Sequence, residues 1–162
     1  MRTYTKEQTD TGLSAITKLL VHLLKHLVAT GDLKVEAEPR PATTTNIPVN
    51  SRRPDFSVLL GTTRHYYDVQ IVAVNKDSAK EDAYDTLTEA AKEKQRKYKD
   101  LGEIFHPLII SLGSLMERGT ARVYNALQKL IGPSRAKWLD NSIALTLTQA
   151  KGIAATSIIA RK

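Results

Sequence analysis

The run "YYDVQIVAV", Tyr66 to Val74, limits the possible folds more than any other part of the chain. It is apolar at both odd and even positions and rich in β-branched and aromatic residues, so as a strand it must be covered on both faces. Yet an aspartate stands inside it at position 68. An ionised carboxylate buried in a strand costs several kcal/mol unless a cation, a donor or a proton compensates it. The chain therefore has to build a sheet with helices on both sides and bring a partner to Asp68.

The flanking sequence supplies such elements. "DFSVLL" joins "HYYDVQIVAV" through the turn-forming "GTTR", which predicts a hairpin. Before it, "LKVEAE" alternates, with Leu33, Val35 and Ala37 on one face and Lys34, Glu36 and Glu38 on the other, as a strand does. The proline-bearing stretch from Pro39 to Ser51 reads as a loop. Leu13, Ile16, Leu20, Leu23, Leu24 and Leu27 recur at helical spacing and predict a first helix from Thr11 to Thr30, stopped at Gly31. A helical period returns from about Ser78 to Leu101, the strand-like "FHPLIISLG" follows, and helices are expected over Glu117 to Ile131 and from Ser134 to Ala150 or beyond. The order α-β-β-β-α-β plus helices predicts an α/β fold with a mixed sheet flanked by helices. With 162 residues the chain is expected to be one domain, a core over about 10–131 and a C-terminal helical extension over about 134–162.

Asp55 opens the hairpin thirteen residues before Asp68, a separation that spans one hairpin and its turn and brings both carboxylates to adjacent strands. Clustered carboxylates repel and raise each other's pKa unless a divalent cation sits between them, and oxygen ligands suit Mg²⁺ or Mn²⁺. Gln70 shares a strand face with Asp68, while Val69 and Ile71 point the other way.

"RPDF", then "YYDVQIV", a helix carrying "EKQRKY", and "FHPLIISLG" together resemble the restriction-like endonuclease domain of site-specific non-long-terminal-repeat retrotransposons, a branch of the PD-(D/E)XK superfamily. The resemblance spans about Leu33 to Ile131 and departs from the superfamily pattern at Gln70, where a lysine is usual. It implies a restriction-endonuclease-like α-β-β-β-α-β core and a metal-dependent DNA endonuclease whose nick leaves a 5′-phosphate and a 3′-hydroxyl that primes reverse transcription. In that family a basic residue on the following helix is thought to replace the missing lysine. The resemblance further implies double-stranded target DNA, and element RNA or a reverse transcriptase domain of the same polyprotein, as partners. It also implies a nuclear location and a chain excised from a larger protein. Asp55 and Asp68 would bind Mg²⁺ or Mn²⁺ with Glu38 and the Val69 carbonyl, with Glu36, on the same strand face as Glu38, as the second candidate for the third ligand.

Periodicity chooses the helix lysine. The core-facing stripe after Ser78 runs through Ala83, Leu87, Ala91, position 94, Tyr98 and Leu101, and position 94 is Lys94. A lysine in an apolar stripe needs an anionic partner or a route to snorkel. Lys97 lies at the edge of the stripe as the second candidate, and Lys92, Arg96 and Lys99 are expected to face solvent or phosphate. Arg52, Arg53 and Arg64 border the hairpin mouth and, with Arg96, Lys97 and Tyr98, form the expected DNA-binding set.

Composition admits this reading without proving it. The chain has 24 Lys+Arg against 17 Asp+Glu, a net charge of +7, which favours a polyanionic partner. The absence of cysteine excludes a disulfide framework and a thiolate metal site. "MRTYTKEQTD" lacks the apolar core of a signal peptide and no run approaches the roughly 18 apolar residues of a membrane span, so an intracellular domain without a membrane partner is expected. His22 and His26 have a zinc-compatible spacing but no evident third ligand, and His65 and His106 read as packing or DNA-proximal residues. Two other functional classes stay open: a nucleic-acid-binding module that keeps a nuclease-like fold without turnover, and a basic protein-interaction domain.

Overall fold

A computed structural model describes residues 6–28, 34–37, 53–72 and 82–159, with side chains described over 15–26, 34–36, 53–72 and 82–149. Helix α1 (Lys6–Val28) precedes strands β1 (Lys34–Ala37), β2 (Phe56–Leu60) and β3 (Thr63–Val72). Helix α2 (Ala83–Lys97), strand β4 (Phe105–Ser111), and helices α3 (Arg118–Ile131) and α4 (Pro133–Ile159) follow. The four strands form one sheet in the order β1-β2-β3-β4. The first two pairings are antiparallel and β3 runs parallel to β4, the mixed sheet that the element order predicts.

Helices cover both faces. Phe56, Val58, Tyr67, Val69, Ile71, Leu108 and Ile110 pack against Ile16, Leu20 and Leu24 of α1 and against Leu127, Leu139 and Leu147 of α3 and α4. On the opposite face Leu87 and Ala91 of α2 bury Ile109. Beside them Tyr66, Phe105 and Leu101 close a smaller cluster against Tyr98 and Ile104. The strand period of two thus sends odd residues of β3 into the three-helix layer and even residues toward α2.

Several boundaries differ from the sequence reading. Helix α1 starts at Lys6 rather than Thr11, because its first turn is polar and carries none of the apolar positions from which the stripe is counted. The hairpin turn is the two residues Gly61 and Thr62 rather than "GTTR", since Gly61 at φ 62° supplies the left-handed setting of a tight hairpin and leaves Thr63 and Arg64 free to pair. The helical period to Leu101 is also divided. The α-helix ends at Lys97, and a tighter 3-10 segment, Lys99–Ile104, carries the chain around Gly102 (φ 57°) into β4. Ala73, Val74 and the Pro39 to Ser51 loop lie outside the described residues.

Strand β4 is an edge, and an unpaired edge exposes backbone groups to wrong partners. Here the segment leading into α3 closes it. Ser111 N–H donates to the Leu115 carbonyl at 2.8 Å, and Glu117 N–H to that of Ile109 at 3.1 Å. The buried Thr120 hydroxyl accepts from Ile109 N–H at 2.8 Å and donates to the Pro107 carbonyl at 3.2 Å. Thr120→Val keeps the shape but strands both buried groups, so it is expected to lower unfolding stability by about 1–3 kcal/mol in urea denaturation. An unchanged midpoint and slope would show that the edge is held by the strand-like segment alone.

Candidate functional site

Asp55 precedes β2, and two backbone groups of β3 fix it. Its N–H donates to the Tyr67 carbonyl at 2.9 Å, while its carboxylate Oδ2 accepts the Val69 N–H at 2.7 Å. These anchors lie on either side of Asp68, so the two carboxyls are held beside each other and interact. Burial first, and the Asp68 carboxylate second, push the Asp55 carboxyl up to about 7, against the opposing pull of the Val69 N–H and the Lys94 ammonium.

The cation comes from α2. Lys94 Nζ lies 2.7 Å from Asp68 Oδ2, with side-chain exposures of 17% and 7%. Helical steps from Leu87 and Ala91, both buried on the sheet, bring Lys94 over Asp68. The contact is an ion pair rather than an aligned hydrogen bond, because no described donor points at that buried oxygen in hydrogen-bonding geometry. Gln70 is half-buried on the same strand face, opposite Ile109 of β4.

The remaining candidates are more dispersed. Arg64, on β3 four residues before Asp68, donates to Ser57 Oγ at 2.9 Å and pairs with Glu36 at 3.2 Å. Glu36 is thereby engaged with Arg64. Lys97 is exposed, its ammonium 4.8 Å from the centre of the Tyr98 ring, and Tyr98 itself packs on Phe105 at 4.5 Å. Arg96 and Lys92 face solvent beside Glu89, at 3.9 Å and 2.9 Å, and Lys99 is exposed as well. Arg53 is half-buried next to the buried Pro54, whereas Arg52 and Glu38 lie outside the described residues.

The histidines stand apart from the carboxylates. His65 and His106 share a 2.9 Å N···N contact on the three-helix face, where His106 also meets Tyr67, and burial and then His65 lower the His106 pKa. His22 and His26 stack on exposed positions of α1, 6.3 Å between ring centres. Among the described residues no cluster of three or more histidine or acidic side chains forms a ready-made metal site. The Asp55–Asp68 pair nevertheless fits a hard divalent cation. It offers carboxylate oxygens and a buried oxygen without an aligned donor, and Mg²⁺ is commonly held by one or two carboxylates, with water and substrate oxygens completing its shell.

Two features escaped the sequence reading. The Val69 amide orients Asp55, a role that its apolar side chain does not advertise. Ser57 is fully buried under Arg64, and its only sequence signal is a hydroxyl on alternate positions of the apolar strand "FSVLL".

No family model matches the chain, and no curated protein matches it.

The raised Asp55 pKa has a definite sign in folding. Between its ordinary 3.8 and about 7 the folded chain holds a proton that the unfolded chain releases, so this group's stabilising contribution falls as pH rises through that window. Asp55→Asn can still accept the Val69 N–H but does not titrate. In chelator, its stability relative to the parent is expected to rise steadily from pH 4 to pH 7, measured by urea denaturation. A constant difference would place the Asp55 pKa near its ordinary value.

Proposed function

We propose that the chain is a divalent-metal-dependent DNA endonuclease of restriction-like fold, which nicks duplex DNA by phosphodiester hydrolysis. The observation that carries this reading is the constellation of buried Asp68 with partly buried Asp55 and Lys94, two neighbouring carboxyls with an ammonium 2.7 Å from one of them. In it, Asp55 and Asp68 would hold Mg²⁺ or Mn²⁺. When bound, such a cation polarises the scissile phosphate and lowers the pKa of an attacking water. The chain's own part is positional and electrostatic. Val69 N–H keeps Asp55 aimed at the site, α2 holds Lys94 over Asp68, and the Lys94 ammonium orients the attacking water or offsets charge on the phosphorane. Gln70, on the same face, occupies the position of the superfamily lysine. Arg64, Arg96 and Lys97 belong to the basic surface that would engage backbone phosphate.

The sequence resemblance extends the proposal to target-site nicking in retrotransposon insertion, with DNA, element RNA or a linked reverse transcriptase as partners and a nuclear location. Among the described residues no helix is long and apolar enough to cross a membrane. A second reading, binding without turnover, is favoured by Gln70 and by the lack of a third acidic ligand among the described residues.

Nicking of supercoiled plasmid separates the two. The parent is expected to nick in Mn²⁺ or Mg²⁺ and to stop in EDTA. Asp68→Ala abolishes nicking, and Lys94→Ala, checked for folding, slows it by about a hundredfold or more, as loss of an electrostatic transition-state contact does. Salt-sensitive DNA binding without metal-dependent nicking would establish the binding module instead.

A further inference from the structure

The position of Lys94 raises a question beyond hydrolysis. Its ammonium lies 2.7 Å from the carboxylate oxygen that a divalent cation would need. Two cations at contact distance on one carboxylate repel strongly in a poorly solvated site. Resting on the nuclease reading, we infer that Lys94 is a resident counter-ion which a divalent cation displaces, so that metal binding releases the ammonium for use on phosphate.

Three features of the site make the exchange feasible. The Lys94 contact has no aligned hydrogen bond at Asp68 Oδ2, so charge rather than directional geometry holds the ammonium there. The side chain keeps 17% of its surface open, and a four-carbon stem lets the head group move without moving the helix. Lys94 also stands in the last turn of α2, where exposed carbonyl ends favour a cation after it leaves the carboxylate. Asp55 attracts the ammonium only through longer-range charge, since its Oδ2 is engaged by the Val69 amide and the direct ion pair is with Asp68.

The exchange makes Lys94 a safeguard as well as a catalytic group. Without metal, Asp68 keeps the ammonium away from phosphate and Lys94 supplies the positive charge that the buried carboxylate requires. With metal, the same ammonium becomes available beside the new cation. Linkage makes the effect reciprocal: if metal expels Lys94, then Lys94 weakens metal binding by the same factor.

Mn²⁺ titration by calorimetry, in the absence of DNA, tests this without reference to activity. Lys94→Met and Lys94→Gln are expected to bind Mn²⁺ roughly tenfold tighter than the parent, within the usual range of site-to-site coupling. Lys92→Met, at the exposed pair with Glu89, is expected to match the parent, and Asp68→Asn to lose binding. Because removing Lys94 leaves a buried carboxylate uncompensated, a second measurement uses the unmutated chain. The side-chain ¹⁵Nζ or ¹³Cε resonance of Lys94 is expected to shift on saturation with Mg²⁺. If the parent binds metal but the Lys94 variants bind no tighter and the resonance does not move, the exchange is refuted while the metal site stands. If neither the parent nor any variant binds, the metalloenzyme reading itself falls.

Discussion

A carboxylate on a central strand governs the rest of this architecture. Asp68 is 5% exposed on β3, between β2 and β4, and Arg64, the cation on the same face of that strand, is turned to Ser57 and Glu36 instead. Leaving such a group uncompensated costs about 3–5 kcal/mol, a large share of the stability of an ordinary domain. The compensation comes from α2, which delivers Lys94 to Asp68, and that requirement ties the register of the helix to the register of the strand. Leu87 and Ala91 seat the helix on Ile109, and one further turn places the ammonium at the carboxylate. Packing and charge therefore specify the same helix position, the agreement between levels that marks a well-specified fold.

Asp55 adds a cost that neither stability nor packing explains. A second carboxyl is pinned beside the first by the Tyr67 carbonyl and the Val69 amide, and its pKa is pushed up to about 7. An asparagine would accept the Val69 N–H without the repulsion. A strongly perturbed carboxyl fixed by dedicated hydrogen bonds beside a second carboxylate is the arrangement expected where charge itself is used. A divalent cation relieves the repulsion that the protein builds in, and this is the physical reason for preferring a metal-dependent reaction to a purely structural ion pair. Once Asp55 ionises, above about pH 7, the single nearby ammonium offsets only one of two negative charges, which a divalent cation would match.

Much of this was legible in the sequence because it depends on short periods. Alternation along "YYDVQIV" assigns Asp68 and Gln70 to one face and Val69 and Ile71 to the other, and Val69 and Ile71 indeed enter the three-helix core. The helical stripe through Leu87 and Ala91 singles out Lys94, and the structure brings that lysine to Asp68. Contacts between segments distant in sequence were less legible. Thr120 closing the β4 edge, and Arg64 clamped by Ser57 and Glu36, depend on where α3 and β1 arrive in space, which no local pattern encodes. The boundary of α2 was missed for a different reason: Leu101 continues the apolar spacing, but the α-helix ends at Lys97 and a 3-10 path from Lys99, kinked at Gly102, keeps Leu101 buried.

The central claim is that Asp55 and Asp68 together hold one divalent cation. Anomalous scattering from crystals saturated with Mn²⁺ tests it most directly, because it locates the ion without reliance on activity. The account predicts one strong peak shared by the two carboxylates, on the face of β3 that carries Gln70. Crystals whose Mn²⁺ is bound elsewhere, or which show no peak between those carboxylates at saturating Mn²⁺, would contradict it.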